Sequence, residues 1–156
     1  MKSEYMLEAL KCAKIAFNDG EIPVGAVIVK NDKVIATGEN HREKKNNALS
    51  HAEIEAINNA CKALGSWRLD GCTMYVTLEP CMMCMGAIIN SRLDTLVFGA
   101  YDTRAGCADS LVNSKSLLSS EKPEIYGGIM EEKCEKILKD FFDVVRNNEN
   151  RKAENS

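Results

Sequence analysis

The sequence predicts an α/β domain, a mixed sheet covered by helices on both faces. Three observations lead there. Helical and strand-like segments follow one another in the order αββαβαβα, the pattern of a layered sheet with crossover helices. The chain has 156 residues, the length of a single domain. Its longest apolar runs, such as Ile22 to Val29, are strand-sized, and none nears the roughly 18–20 residues of a membrane span.

Each element has its own signal. Glu4 to Asn18 is an amphipathic helix, with Met6, Leu7, Leu10, Ala13 and Phe17 at roughly helical spacing, and Gly20 ends it. Ile22 to Val29 is a strand whose Pro23 and Gly25 mark an irregular start. Asn31-Asp32 turns into a second strand, Lys33 to Thr37. A polar loop, Glu39 to Asn47, leads to a helix over Ala52 to Leu64. Its apolar stripe is Ile54, Ile57, Cys61 and Leu64, and Gly65 terminates it. Thr73 to Leu78 alternates and is rich in β-branched residues, so it reads as a strand. Pro80 opens a helix through Ser91, because the first helical turn tolerates proline. Thr95 to Ala100 is another strand, Ile125 to Gly127 a short fifth, and 110 to 130 is ambiguous around it. Glu131 to Val145 closes the chain as a helix. The expected organisation is one domain over 1–146 and a frayed tail over 147–156.

Composition narrows the function. At 45% hydrophobic the chain can bury a core, and at 28% charged it should stay in solution. A net charge of −3 argues against broad coating of nucleic acid, which needs a basic face, but allows a small basic patch at one pocket. Met1-Lys2-Ser3-Glu4-Tyr5 carries no apolar export signal, so a cytoplasmic location without a membrane anchor is expected. Seven cysteines in such a chain favour reduced thiols or metal ligands over disulfides.

Two segments carry chemistry. One is His51-Ala52-Glu53, the other Pro80-Cys81-Met82-Met83-Cys84. One imidazole and two thiolates suit Zn²⁺, and three protein ligands leave the fourth tetrahedral position open, as in a catalytic site. Cys81 and Cys84 stand three apart at a helix start, where the helix N-terminus helps hold their negative charge. His51 also sits at a helix start. In the first turn it and Glu53 can lean toward the same end, although mid-helix they would diverge by about 200°. Zinc lowers the pKa of a water to about 7, and a carboxylate beside it can act as a proton shuttle.

These residues match the His-x-Glu … Pro-Cys-x-x-Cys signature of zinc-dependent nucleobase deaminases. Gly20 to Ala26, Asn40, Gly65 to Leu69, Tyr75 to Cys81, Cys84 to Ala87, Gly99 to Asp102 and Gly106-Cys107 extend the likeness over nearly the whole chain. With them the sequence resembles the bacterial tRNA-specific adenosine deaminases. The resemblance implies a three-layer α/β/α, cytidine-deaminase-like fold with a central mixed five-stranded sheet. It implies a homodimer and one zinc per chain, held by His51, Cys81 and Cys84, with Glu53 as proton shuttle. The implied reaction converts the wobble adenosine of a tRNA anticodon loop to inosine. By the same resemblance Val24 packs on the base and Asn40 bonds the flipped nucleotide, while Arg42, Asp102 and Arg104 hold anticodon nucleotides.

Other readings stand beside these. Ser50-x-x-Glu53 is also a capping-box pattern, so Glu53 could tie down its helix. Cys81-x-x-Cys84 could be a redox pair. Asn40 could be a turn residue, and His41 a solvent-facing one. Met82, Met83 and Met85 read as packing residues, as do Cys12, Cys61, Cys72, Cys107 and Cys134. For the whole chain, the alternatives are a deaminase of free guanine or cytosine, or a non-catalytic zinc-stabilised binding protein.

Overall fold

Along strand β1 (Gly25–Lys30), Ala26 and Ile28 face one way and Val27 and Val29 the other, and all four are buried. A strand buried on both faces needs helices on both sides of its sheet. The structure, a computed structural model, describes residues 2–117 and 121–156. Helix α1 (Ser3–Asn18) supplies Met6, Ala9 and Cys12 to a core with Val27, Val29, Tyr75 and Val97. Cys134 of helix α4 (Glu131–Glu154) joins that layer. On the opposite face, α2 (Ala52–Leu64) and α3 (Met82–Asn90) bring Ala56, Ala60, Met85 and Ile88 against Ala26, Ile28, Met74, Val76, Leu96 and Phe98.

The remaining strands are β2 (Lys33–Glu39), β3 (Cys72–Leu78), β4 (Thr95–Ala100) and β5 (Glu124–Tyr126). They form a five-stranded sheet in the order β2-β1-β3-β4-β5. β1 is antiparallel to β2 and β3, while β3, β4 and β5 run parallel. This is the expected α/β/α sandwich on a mixed sheet. The β1–β2 turn places Asn31 and Asp32 at φ of 51° and 60°, the left-handed pair that a tight hairpin needs. At Gly38 the backbone of α2, at Ala52 and Ala56, occupies the space where a side chain would project. Glycine there lets the start of α2 lie directly on the sheet.

Several boundaries differ from expectation. β1 begins at Gly25 and not at Ile22, because the Val24 N–H bonds back to the Ile22 carbonyl in a turn. α3 begins after Cys81, not at Pro80. The Pro80 carbonyl is taken by the Cys107 N–H, and the first helical bond runs from Met85 N–H to the Cys81 carbonyl. The tail expected to fray from 147 is helical as far as Glu154 and fully exposed. It holds neither glycine nor proline, and the pairs Lys136–Asp140 and Lys139–Asp143 support the helix leading into it. In the ambiguous stretch, Ser114–Leu117 is a 3-10 turn, and residues 118–120 lie outside the described residues. Among the described residues, no helix is long and apolar enough to cross a membrane.

Candidate active site

The carboxyl ends of the parallel strands β3 and β4 share one edge with the start of β1 and the end of β2, since Ala26 pairs with Val76 and Gly25 with Glu39. Ligand sites in such sheets form at this edge. Two helices begin there. His51 is the residue before α2, extended at φ −73° and ψ 155°, and Cys81 holds the same position before α3 at φ −74° and ψ 177°. Their positive helix ends therefore converge on the same space, which favours anionic side chains.

Into that space project His51, Cys81 and Cys84, whose ligand atoms all lie within 4.8 Å of one another. His51 Nδ1 is 3.7 Å from Cys81 Sγ and 3.6 Å from Cys84 Sγ. A tetrahedral ion with Zn–N of about 2.0–2.1 Å and Zn–S of about 2.3 Å sets nitrogen and sulfur about 3.6 Å apart. The donor set and both nitrogen–sulfur spacings fit zinc. The Cys81 thiol is pushed down to about 4, first by the hydrogen bond from Cys84 and against the effect of burial. The Cys84 thiol is pushed up, first by the same partner and then by burial. Both thiols must be deprotonated to ligate a metal, so binding a cation there releases protons.

Glu53 completes the cluster. It is 4% exposed, and the Cys84 thiol donates to its Oε2 at 3.4 Å. Burial pushes its carboxyl above the usual range, which suits a group that must gain and lose a proton. The capping-box reading is not what the structure shows: the residue before α2 is His51, and no side chain caps the helix.

A cavity of about 270 Å³ opens beside the cluster, lined in part by Val24, Asn40, Arg42 and Asp102. Asn40 is buried; it donates to the Ile22 carbonyl at 3.2 Å and accepts from the Arg42 N–H at 3.1 Å. The turn reading and the cavity position are thus both present in one residue. An amide has four bonding positions, so capacity remains for a ligand. Asp102 accepts from the N–H groups of Arg104 and Ala105. Arg104 itself is exposed on that loop and is not brought to the cavity wall. His41 is not solvent-facing: its side chain is 15% exposed and bonds Glu39 at 3.0 Å.

Met85 packs in the core and Met82 is 69% exposed. Cys12, Cys72, Cys107 and Cys134 are buried, and Cys61 packs at the core margin. Two buried carboxylates escaped the sequence reading. Glu21 accepts from the Glu43 and Lys44 N–H groups, and Glu79 accepts from the 102–110 loop. The available signal was a charged residue set against apolar neighbours, Ile22 in one case and Leu78 in the other.

Fold and site together define a class: the nucleobase deaminases built on a His–Cys–Cys metal cluster with an adjacent carboxylate. The chain belongs to the MafB19-like deaminase family, whose family model matches residues 1–146. It is 48% identical over 146 residues to the tRNA-specific adenosine deaminase of Bacillus subtilis (strain 168), covering 91% of this chain and 89% of that one. A solved structure from studies of tRNA:A34 deaminases, which edit A to I at the wobble position of transfer RNA, matches with a TM-score of 0.83 at 38% identity. That match covers 87% of this chain and 99% of the other. A guanine deaminase from Bacillus subtilis matches with a TM-score of 0.63 at 39% identity, over 79% of each chain.

Proposed function

We infer that this chain is a hydrolase that deaminates adenosine to inosine in tRNA, at the wobble position of the anticodon. The observation that carries this is the match to the tRNA:A34 deaminase over 99% of that protein's length, around a cavity beside a His–Cys–Cys cluster. Identity to the solved structures does not separate it from the guanine deaminase, at 38% against 39%; the 48% identity to a tRNA-specific adenosine deaminase over 91% of this chain favours the tRNA reading. His51, Cys81 and Cys84 would hold one zinc. Bound there, zinc supplies a Lewis acid that brings the pKa of water to about 7. Glu53 takes the proton of the attacking water, passes it to the purine ring nitrogen, and assists departure of ammonia. Water and adenosine thus give inosine and ammonia.

Val24 offers an apolar face for the base and Asn40 an amide for the flipped nucleotide. Extrusion is cheap from an anticodon loop, whose bases are already unpaired. Arg42 on the cavity wall, Asp102 opposite and Arg104 further along its loop would hold neighbouring nucleotides. The same reading makes the protein cytoplasmic and homodimeric. Leu49, just before His51, and Met82, just after Cys81, expose apolar surface that a partner subunit would cover. A monomeric mass by light scattering would contradict the dimer.

Asn40→Ala should lower kcat/KM on an anticodon stem-loop about tenfold to a hundredfold, since a good polar contact to a base is worth roughly 1–3 kcal/mol. Zinc should stay bound. Raising salt should weaken stem-loop binding but leave any turnover of uncharged guanine unaffected. Salt-insensitive turnover of guanine, with an Asn40→Ala variant as active as the parent on RNA, contradicts this reading.

A further inference from the structure

Glu79 is the residue between β3 and the Pro80-Cys81 step. It is 2% exposed, and its N–H donates to the Ala100 carbonyl at 2.8 Å. Its side chain reaches across to the loop after β4. Oε1 accepts from the Asp102 N–H at 3.1 Å and from the Ser110 hydroxyl. Oε2 accepts from the N–H groups of Ala108, Asp109 and Ser110 at 3.2, 2.8 and 2.9 Å. Five donors from one loop converge on one carboxylate. The loop wraps it so closely that a side chain at Gly106 would overlap the Glu79 carboxyl group.

We propose that Glu79 is a positioning residue for the substrate, tying the loop that forms one cavity wall to the segment that carries Cys81. This rests on reading the cavity as the base-binding site. The links can be followed atom by atom. Glu79 holds the Asp102 N–H; Asp102 Oδ1 holds the N–H groups of Arg104 and Ala105; Asp102 and Ala105 line the cavity. A parallel tie runs from the Cys107 N–H to the Pro80 carbonyl at 2.8 Å. The distance between the metal ligand and the wall opposite it is therefore set by residues 79–81 and 102–110 acting as one unit.

Only a carboxylate satisfies this loop. It presents two oxygens with about four lone-pair sites and no donor of its own. Glutamine keeps the shape but turns an NH₂ group toward backbone N–H donors. The loop would have to withdraw on one side, and Asp102 would move with it.

The test compares Glu79→Gln with the parent protein on an anticodon stem-loop, reading KM, kcat, zinc content and Tm. The expected result is a KM raised about tenfold to a hundredfold, the fold-change from weakening one good polar contact to a nucleotide, with kcat little changed and zinc retained. An unchanged KM overturns the proposal, even if Tm falls or the active fraction drops, since those are what a merely structural residue would give. Should Glu79→Gln fail to fold, Ser110→Ala decides: it removes one of the five donors and should raise KM several-fold, and an unchanged KM overturns the proposal. If the parent protein makes no inosine in the stem-loop, the tRNA reading fails by itself. KM for guanine then judges Glu79 by the same criteria.

Discussion

Glu53→Ala is expected to lower turnover by at least the roughly 10²–10⁴-fold associated with loss of a general acid–base, while zinc content stays at that of the parent protein. The substitution leaves all three ligand side chains in place and removes the carboxylate whose oxygen lies 3.4 Å from Cys84 Sγ. A helix cap at this position would predict something else, a loss of stability with near-normal turnover per folded molecule. α2 has no side-chain cap that depends on Glu53, so the helix should survive the change. Paired measurement of kcat and metal content decides between the two roles. A Glu53→Ala protein with parental turnover would remove Glu53 from the mechanism.

Cys84→Ala has the opposite signature. It deletes one of the three atoms that fit zinc, so the metal and the activity should be lost together. Metal analysis of the purified variant should fall from about one zinc per chain toward zero, and turnover should fall to background. Cys81→Ala should behave alike, because Cys81 Sγ and Cys84 Sγ stand at nearly equal distances from His51 Nδ1, 3.7 and 3.6 Å. An active variant without metal would mean that the cluster is a thiol pair and not a metal centre. The contrast between Glu53→Ala, which keeps zinc, and Cys84→Ala, which does not, separates proton transfer from metal binding without any assumption about the RNA.

Much of the architecture was legible because its signals are local. The α2 and β4 boundaries are as expected, and Gly65 stops α2 at Leu64. The Asn31-Asp32 turn carries its own backbone chemistry. What could not be read locally was set by partners distant in sequence. α3 starts late because Cys107, far along the chain, takes the Pro80 carbonyl. The helical extension past 147 has no buried face, so no hydrophobic period announced it.

The candidate site divides in the same way. His51, Glu53, Cys81 and Cys84 lie in two short motifs whose spacing already implies a shared centre. The cavity walls are assembled from five separate segments, around residues 22–24, 40–42, 51–53, 78–81 and 102–105. Arg104 is exposed on the same loop and does not line the cavity; its N–H bonds Asp102. Glu79 was invisible as a hub because its five donors come from residues more than twenty positions away.

The central claim is that this fold presents a zinc site to the wobble adenosine of a tRNA. It is tested most directly by incubating the zinc-loaded protein with a tRNA carrying adenosine at that position, beside free guanine. Nucleosides from the digested tRNA are then identified by mass spectrometry, and ammonia is measured in both reactions. The account predicts inosine at the wobble position, one ammonia released per inosine, and no ammonia from guanine. Ammonia from guanine, with the wobble adenosine left intact, would contradict it.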